Sequence, residues 1–335
     1  MSKIAIIGAG VAGIEVASVL AKQHDVDLFE KETAPLCNIR NKALLFPDFS
    51  SADELADTLT EKLHNPNITP HYGTDITDLR PLEGGWELKE AAGTTHLANH
   101  VVLATGYQVF DASKKEELGY GIYPSIITSI DLEKMIREER IVNAFNETPK
   151  SVTFLQCVGS RDEKSGNHYC SKVCCVTAVK QAIEVRKMLP DASAFVFYMD
   201  LRMWGQGFEE MYRTAQEQYS VNFIRGRISE AAATYDHKVQ LKAEDTLMGL
   251  PLNMDTDLLV LMVGMCPSEG TQTLAQAAGI AGPYHFAKSL SEHLTDNCTE
   301  RKGLFLAGAC KRPMSVTDTI QDARAAAVTI LEQIS

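Results

Sequence analysis

The chain opens on a short apolar run, Ile4 to Ile7, then a glycine-rich turn and an apolar stretch of helical period reaching about Lys22. Asp25 to Phe29 reads as a second strand, and Ala52 to His64 as an amphipathic helix. Glycine and proline then punctuate short strands around Ile76, Trp86 to Lys89 and Thr94 to Leu97, and Val101 to Ala104 reads as another buried strand. A helix near Asp131 to Glu138 precedes a second series: strand Ser151 to Leu155, helix Val173 to Leu189, strand Phe195 to Met199, helix Phe208 to Tyr219 and strand Val221 to Ile224. Sheet-like segments around Val239 to Leu241, strands Asp257 to Val263 and Gly303 to Gly308, and a helix from about Thr317 to Gln333 complete the pattern. Alternation of this kind predicts an α/β fold built from two βαβ series.

A chain of 335 residues normally divides into two domains. A net charge of -12 argues against a nucleic-acid partner, since phosphate neutralisation needs a basic face. The N-terminal apolar run imitates a signal peptide, but its spaced glycines and Glu15 argue against that, and no stretch is long and apolar enough to span a bilayer. A cytoplasmic protein is expected, and eight cysteines without a small-domain framework fit a reducing compartment.

Two groups of residues carry chemistry. The first is Gly8-Ala9-Gly10-Val11-Ala12-Gly13, a G-x-G-x-x-G between strand and helix. Gly8 permits the turn, Gly10 lets the backbone approach a pyrophosphate, and Gly13 lets helix and strand pack closely. Glu30, at the end of the second strand, is placed to bond ribose hydroxyls. The irregular connection from Glu32 to Ser50, with Cys37 and Arg40, is long enough to expect a function for it. The second group is Cys157, Cys170, Cys174 and Cys175, in a stretch that follows the strand Ser151 to Leu155 and has no G-x-G-x-x-G. Four converging thiolates suit a [4Fe–4S] cluster, and an adjacent pair fits zinc spacing poorly. A redox dithiol set made from Cys170, Cys174 and Cys175 remains the alternative.

Several segments add a family resemblance. Ala104-Thr105-Gly106 and the strand-to-helix return at Gly308 resemble those of two-dinucleotide-binding-domain flavoproteins of the thioredoxin/glutathione-reductase type. That resemblance implies an α/β architecture in which a Rossmann-type FAD domain spans 1–110 and 236–335, with a second α/β domain inserted at 111–235. It implies FAD contacts from Gly8, Gly10, Ala12, Gly13, Glu30, Lys31, Arg40, Thr105, Gly106, Gly264, Gly308, Ala309, Thr317 and Thr319. Gln156-Cys157-Val158-Gly159-Ser160-Arg161-Asp162, Tyr169-Cys170-Ser171 and Val173-Cys174-Cys175 resemble the A-type flavin subunit of heterodisulfide reductase. Gly119-Tyr120-Gly121, Tyr198-Met199-Asp200, Phe223 to Arg227 and Ala307 to Cys310 are similar to that family too.

The resemblance implies an FAD and iron–sulfur oxidoreductase in which the four cysteines hold the cluster. Lys180 would lie near the flavin ring, and Glu133 would be its charge partner. Heterodisulfide reductase partners of the B and C types and a homodimer are expected. The chain has no ferredoxin-like C-x-x-C-x-x-C module, and the family's cysteine-rich linker is reduced to Cys37, which argues against electron bifurcation. Such short forms resemble those of sulfur-oxidiser heterodisulfide-reductase-like complexes, and also components of the quinone-interacting oxidoreductase of sulfate reducers.

Overall fold

The computed structural model describes residues 2–334, which divide into two compact units. Among the described residues the first comprises 2–40, 53–108 and 265–334. Its parallel sheet runs in the order Leu304–Leu306, His100–Leu103, Lys3–Ile7, Asp25–Glu30, Ile68–Tyr72, with Ile4 opposite both Val26 and His100. Four of the five residues in Lys3–Ile7 are buried, as expected of a parallel strand covered on both faces. The antiparallel meander Ile76–Leu82, Gly85–Glu90, Thr95–Ala98 joins Leu79, Trp86 and Leu88 to a core that includes Phe29 and Leu274.

The second unit comprises 41–52 and 109–264. Its parallel sheet has the order Asn222–Arg225, Ser193–Tyr198, Ser151–Val158, Leu258–Val263, Ile126–Thr128. Helices Ser129–Arg137, Cys174–Met188 and Phe208–Glu217 belong to this unit, and residues of all three enter its core with Val152, Phe154 and Val260. Thr128 and Asp131 cap the first of these helices reciprocally, which fixes where it starts.

Two boundaries differ from the sequence reading. The return to the first unit comes at Met265, not at 236. The strands Ile228–Ala233, Val239–Asp245 and Leu250–Thr256 pair antiparallel and feed Leu258–Val263, which lies beside Ser151–Val158 in the second unit's sheet. Residues 41–52 also group with the second unit: Ala43, Phe46 and Phe49 pack on its core, and the segment folds back on itself through a Leu44–Ser51 bridge. Among the described residues no helix is long and apolar enough to cross a membrane.

Candidate functional site

The glycine turn of the first unit is shaped as its spacing requires. Gly8 has φ +107°, and a Cβ there would meet the Ala104 carbonyl oxygen at 2.4 Å. A Cβ on Gly13 would meet the Gly8 carbonyl oxygen at 1.8 Å, whereas one on Gly10 would meet nothing within 4 Å. Gly10 is the N-cap of Val11–Leu20 with no side chain bonded to the free amides, so a bare, open cradle faces outward at a helix N-terminus. That cradle fits the pyrophosphate of FAD. Gly13→Ala is therefore expected to destabilise the turn by about 3 kcal/mol. Gly10→Ala should fold normally and lose flavin affinity. Flavin absorbance per protein, together with urea unfolding, separates the two.

Glu30 accepts the amide of Ala9 at 2.7 Å and that of Glu32 at 3.0 Å, which puts its carboxylate against the turn. Lys31 stands exposed, 3.9 Å from Glu32. Arg40 is turned onto Asp57 at 3.0 Å instead of onto the glycine turn. Thr105 and Gly106 are locked from the far side: Ser268 donates to the Thr105 carbonyl at 2.9 Å, and Thr271 to that of Gly106 at 3.0 Å. Gly106, at φ +65°, has open space where a Cβ would stand. Gly308 is bare because Ala12 Cβ would lie 2.6 Å and Thr319 Cγ2 3.3 Å from a Cβ there, and its amide is held by Asp322 at 2.6 Å. Ala309 is buried beside it, Thr317 is exposed in the first turn of Val316–Ile334, and Thr319 is tied to the Ser315 carbonyl.

Gly264 is the last residue of the second unit, and its neighbours there require a glycine. A Cβ on Gly264 would meet Ser171 Oγ at 2.7 Å and Ser160 Cβ at 3.1 Å. This is the floor of the cysteine region. Strand Ser151–Val158 slips register against Leu258–Val263 between Leu155 and Val158, a bulge that re-aims Cys157, whose φ is +61°. Gly159, Arg161 and Lys172 are left-handed as well, and the loop bends back to start the helix at Cys174. Held-open left-handed residues of this kind persist only where the surroundings fix them.

Cys157, Cys174 and Cys175 are buried and Cys170 half-buried, all as free thiols. Every pair among the four is close enough for one thiolate to oppose ionisation of another. Burial is the larger cause: it pushes Cys157 up to about 11 and Cys174 well above the usual thiol range. Compensating dipoles are present too. The Lys172 amide donates to Cys170 Sγ at 3.3 Å, Arg161 favours the Cys157 thiolate, and the Arg202 backbone favours that of Cys175. Among the described residues no three His, Cys, Asp or Glu side chains gather closely enough for one metal ion. The thiols converge without closing to that contact, and a multi-iron cluster holds its thiolates wider apart than a single ion does.

Lys180 and Glu133 meet inside the second unit. Lys180 is 2% exposed and bonds Glu133 Oε1 at 2.6 Å, so neither residue is a solvated helix charge. Gln181 donates to the same carboxylate at 2.9 Å, and its second oxygen takes the Ala43 amide of the 41–52 segment at 3.0 Å. The sequence reading missed Glu184, one helical turn beyond Lys180 and 3.2 Å from its ammonium, with neither carboxylate oxygen aligned to accept a hydrogen bond. Burial, aided by the charge of Glu133, raises Glu184 to about 7 against the pull of Lys180. The folded chain thus keeps a proton that the unfolded chain releases near the ordinary carboxylate value. Stability therefore falls as pH rises from about 5 to about 7, where Glu184 is forced to ionise. Glu184→Gln is expected to remove that decline and to gain about 1–3 kcal/mol at alkaline pH. Urea midpoints taken across the pH range test it.

Residues 2–130 match the pyridine nucleotide-disulphide oxidoreductase family. In fold the chain is similar to the thioredoxin reductase of Lactococcus lactis, with TM-score 0.71 and 17% identity over 100% of this chain and 99% of that one. The T. acidophilum thioredoxin reductase is similar at TM-score 0.69, with 17% identity and full coverage of both chains. The fold and the glycine cradle are those of the two-domain FAD/NAD(P) Rossmann flavoproteins. Over 238 residues the chain is 41% identical to the A-type component of the H(2)/formate:CoB-CoM heterodisulfide,ferredoxin reductase of Methanococcus maripaludis, covering 69% of this chain and 36% of that protein. Over 254 residues it is 39% identical to the A-type iron-sulfur component of the CoB--CoM heterodisulfide reductase of Methanocaldococcus jannaschii, covering 73% and 37%. The chain is a homologue of these A-type heterodisulfide reductase subunits. It spans little more than a third of their length.

Proposed function

We propose that this chain is an electron-transfer flavoprotein unit. The first unit binds FAD at the Gly8–Gly13 turn, and Cys157, Cys170, Cys174 and Cys175 hold a [4Fe–4S] cluster in the second. When bound, the flavin supplies two-electron chemistry and the cluster a one-electron exit. The observation that carries this is the convergence of four thiols, three of them buried, on a bulged, left-handed loop with N–H and cationic groups facing sulfur. Four protonated thiols gain nothing from meeting there, whereas four thiolates around a cationic core lose their mutual repulsion.

The rival, a cluster-free disulfide reductase using Cys170, Cys174 and Cys175, needs an accessible low-pKa thiolate as nucleophile. Burial of Cys174 and Cys175 works against it, since both thiols are raised. The relatives are named as A subunits, which supports a place in a multisubunit complex. B- and C-type partners, a cytoplasmic location and a homodimer complete the proposal. Within it, oxidation of sulfur compounds is the preferred role, and a quinone-interacting complex of sulfate reduction the second. The test is iron, acid-labile sulfide and FAD on anaerobically purified protein, with about four iron and four sulfide per flavin expected. A yellow, iron-free protein whose thiols titrate against the flavin would favour the rival.

A further inference from the structure

Two buried polar side chains beside the cysteines lack a nitrogen or oxygen partner. Gln156, 6% exposed, makes no hydrogen bond through either amide atom, and Ser160, 1% exposed, has its hydroxyl against the Cys174 sulfur alone. An orphaned buried amide costs the full desolvation of its polar atoms, so such groups are rare unless something satisfies them. Their positions are informative. Val152 and Phe154 belong to the core that includes Cys174, Cys175 and Val179, and Gln156 follows them in the same strand, directly before Cys157. Gln156 sits at the strand's end, where the bulge begins and where the returning helix starts at Cys174. Ser160 stands against Cys174, and its Oγ and that of Ser171 both crowd the bare Cα of Gly264.

Granting the cluster proposed above, we infer that Gln156 and Ser160 are its hydrogen-bond donors: Gln156 Nε2 and Ser160 Oγ donate to sulfur and set the reduction potential. Adding one electron increases the negative charge on the sulfurs, so N–H and O–H groups aimed at them favour the reduced form and raise the potential. Neither residue ligates iron. Both act on the ligand shell, and without a cluster the Gln156 amide is left unsatisfied.

The measurements use the full chain purified anaerobically, as wild type, Gln156→Leu and Ser160→Ala, each with iron counted first. With iron retained, Gln156→Leu is expected to lower the ratio of reduced to oxidised cluster at a fixed potential by about tenfold. That corresponds to ~59 mV for a one-electron couple, read by redox titration with EPR detection. Ser160→Ala should shift it in the same direction. In cluster-free protein the sign of the stability change reverses: Gln156→Leu removes an orphaned amide and should raise the melting temperature, while the loaded variant gains nothing or loses. Unchanged potentials in both iron-loaded variants overturn the assignment. A lower melting temperature in the cluster-free Gln156→Leu protein does so too, since it reveals a structural partner for the amide. A wild type that binds no iron sinks the cluster itself, an outcome that the iron count distinguishes from the others.

Discussion

Lys180→Met is expected to lower stability by about 3–5 kcal/mol, because it leaves Glu133 and Glu184 together in a buried site without their hydrogen-bonded cation, with only the charges of Lys42 and Lys187 still favouring them. Lys180 Nζ lies 2.6 Å from one and 3.2 Å from the other, and all three side chains are almost fully buried. Removing the ammonium strands two carboxylates, and the chain relieves them only by taking up protons. The loss should therefore be smaller near pH 5, where both can be neutral, and larger near pH 8. Adding Glu133→Gln to Lys180→Met should restore part of it, since one charge fewer is then stranded. Urea unfolding of the three proteins at both pH values decides the matter. A loss below about 1 kcal/mol at pH 8 would mean that the pair contributes no more than a surface ion pair does.

The second large effect is compositional. Cys174→Ala is expected to lower iron from about four per chain to less than one, with FAD content unchanged. Cys174 is 7% exposed, and as a protonated thiol it fills space as a small apolar side chain. Its replacement by alanine should cost the cluster-free protein only about 1 kcal/mol. Loss of iron without loss of fold is the signature of a ligand. Cys310→Ala is the control: this cysteine is fully buried, donates to the Leu103 carbonyl at 3.2 Å and lies outside the cysteine loop. It should leave iron untouched.

Much of this was legible in the residues because local rules govern it. The G-x-G-x-x-G turn, the strand before it, the helix after it and the terminal helix follow from glycine geometry and hydrophobic period. The cysteine constellation was visible because no ordinary core uses four thiols at that spacing. The boundary at Met265 was not legible: Leu258–Val263 is apolar on both faces, and nothing in an all-apolar strand says which of two parallel sheets it joins. Residues 41–52 were hidden for a similar reason, since Phe46 and Phe49 mark a buried segment without naming the core that buries it. Glu184 and Gln156 carried a faint signal, a charged and an amide residue inside otherwise apolar stretches, which gains meaning only once burial is known.

The 41–52 segment also constrains how the molecule can be made. Its Ala43 amide must find Glu133, a partner 90 residues further along. That carboxylate in turn waits for Lys180, 47 residues later still. On a growing chain the segment emerges long before either partner, so the second unit closes late and through distant pairings, which slows folding and prolongs exposure of Phe46 and Phe49. A fragment cut to residues 109–264 would begin with that lid missing. For expression of the second unit alone, a circular rearrangement that appends 41–52 is the better starting point than simple truncation.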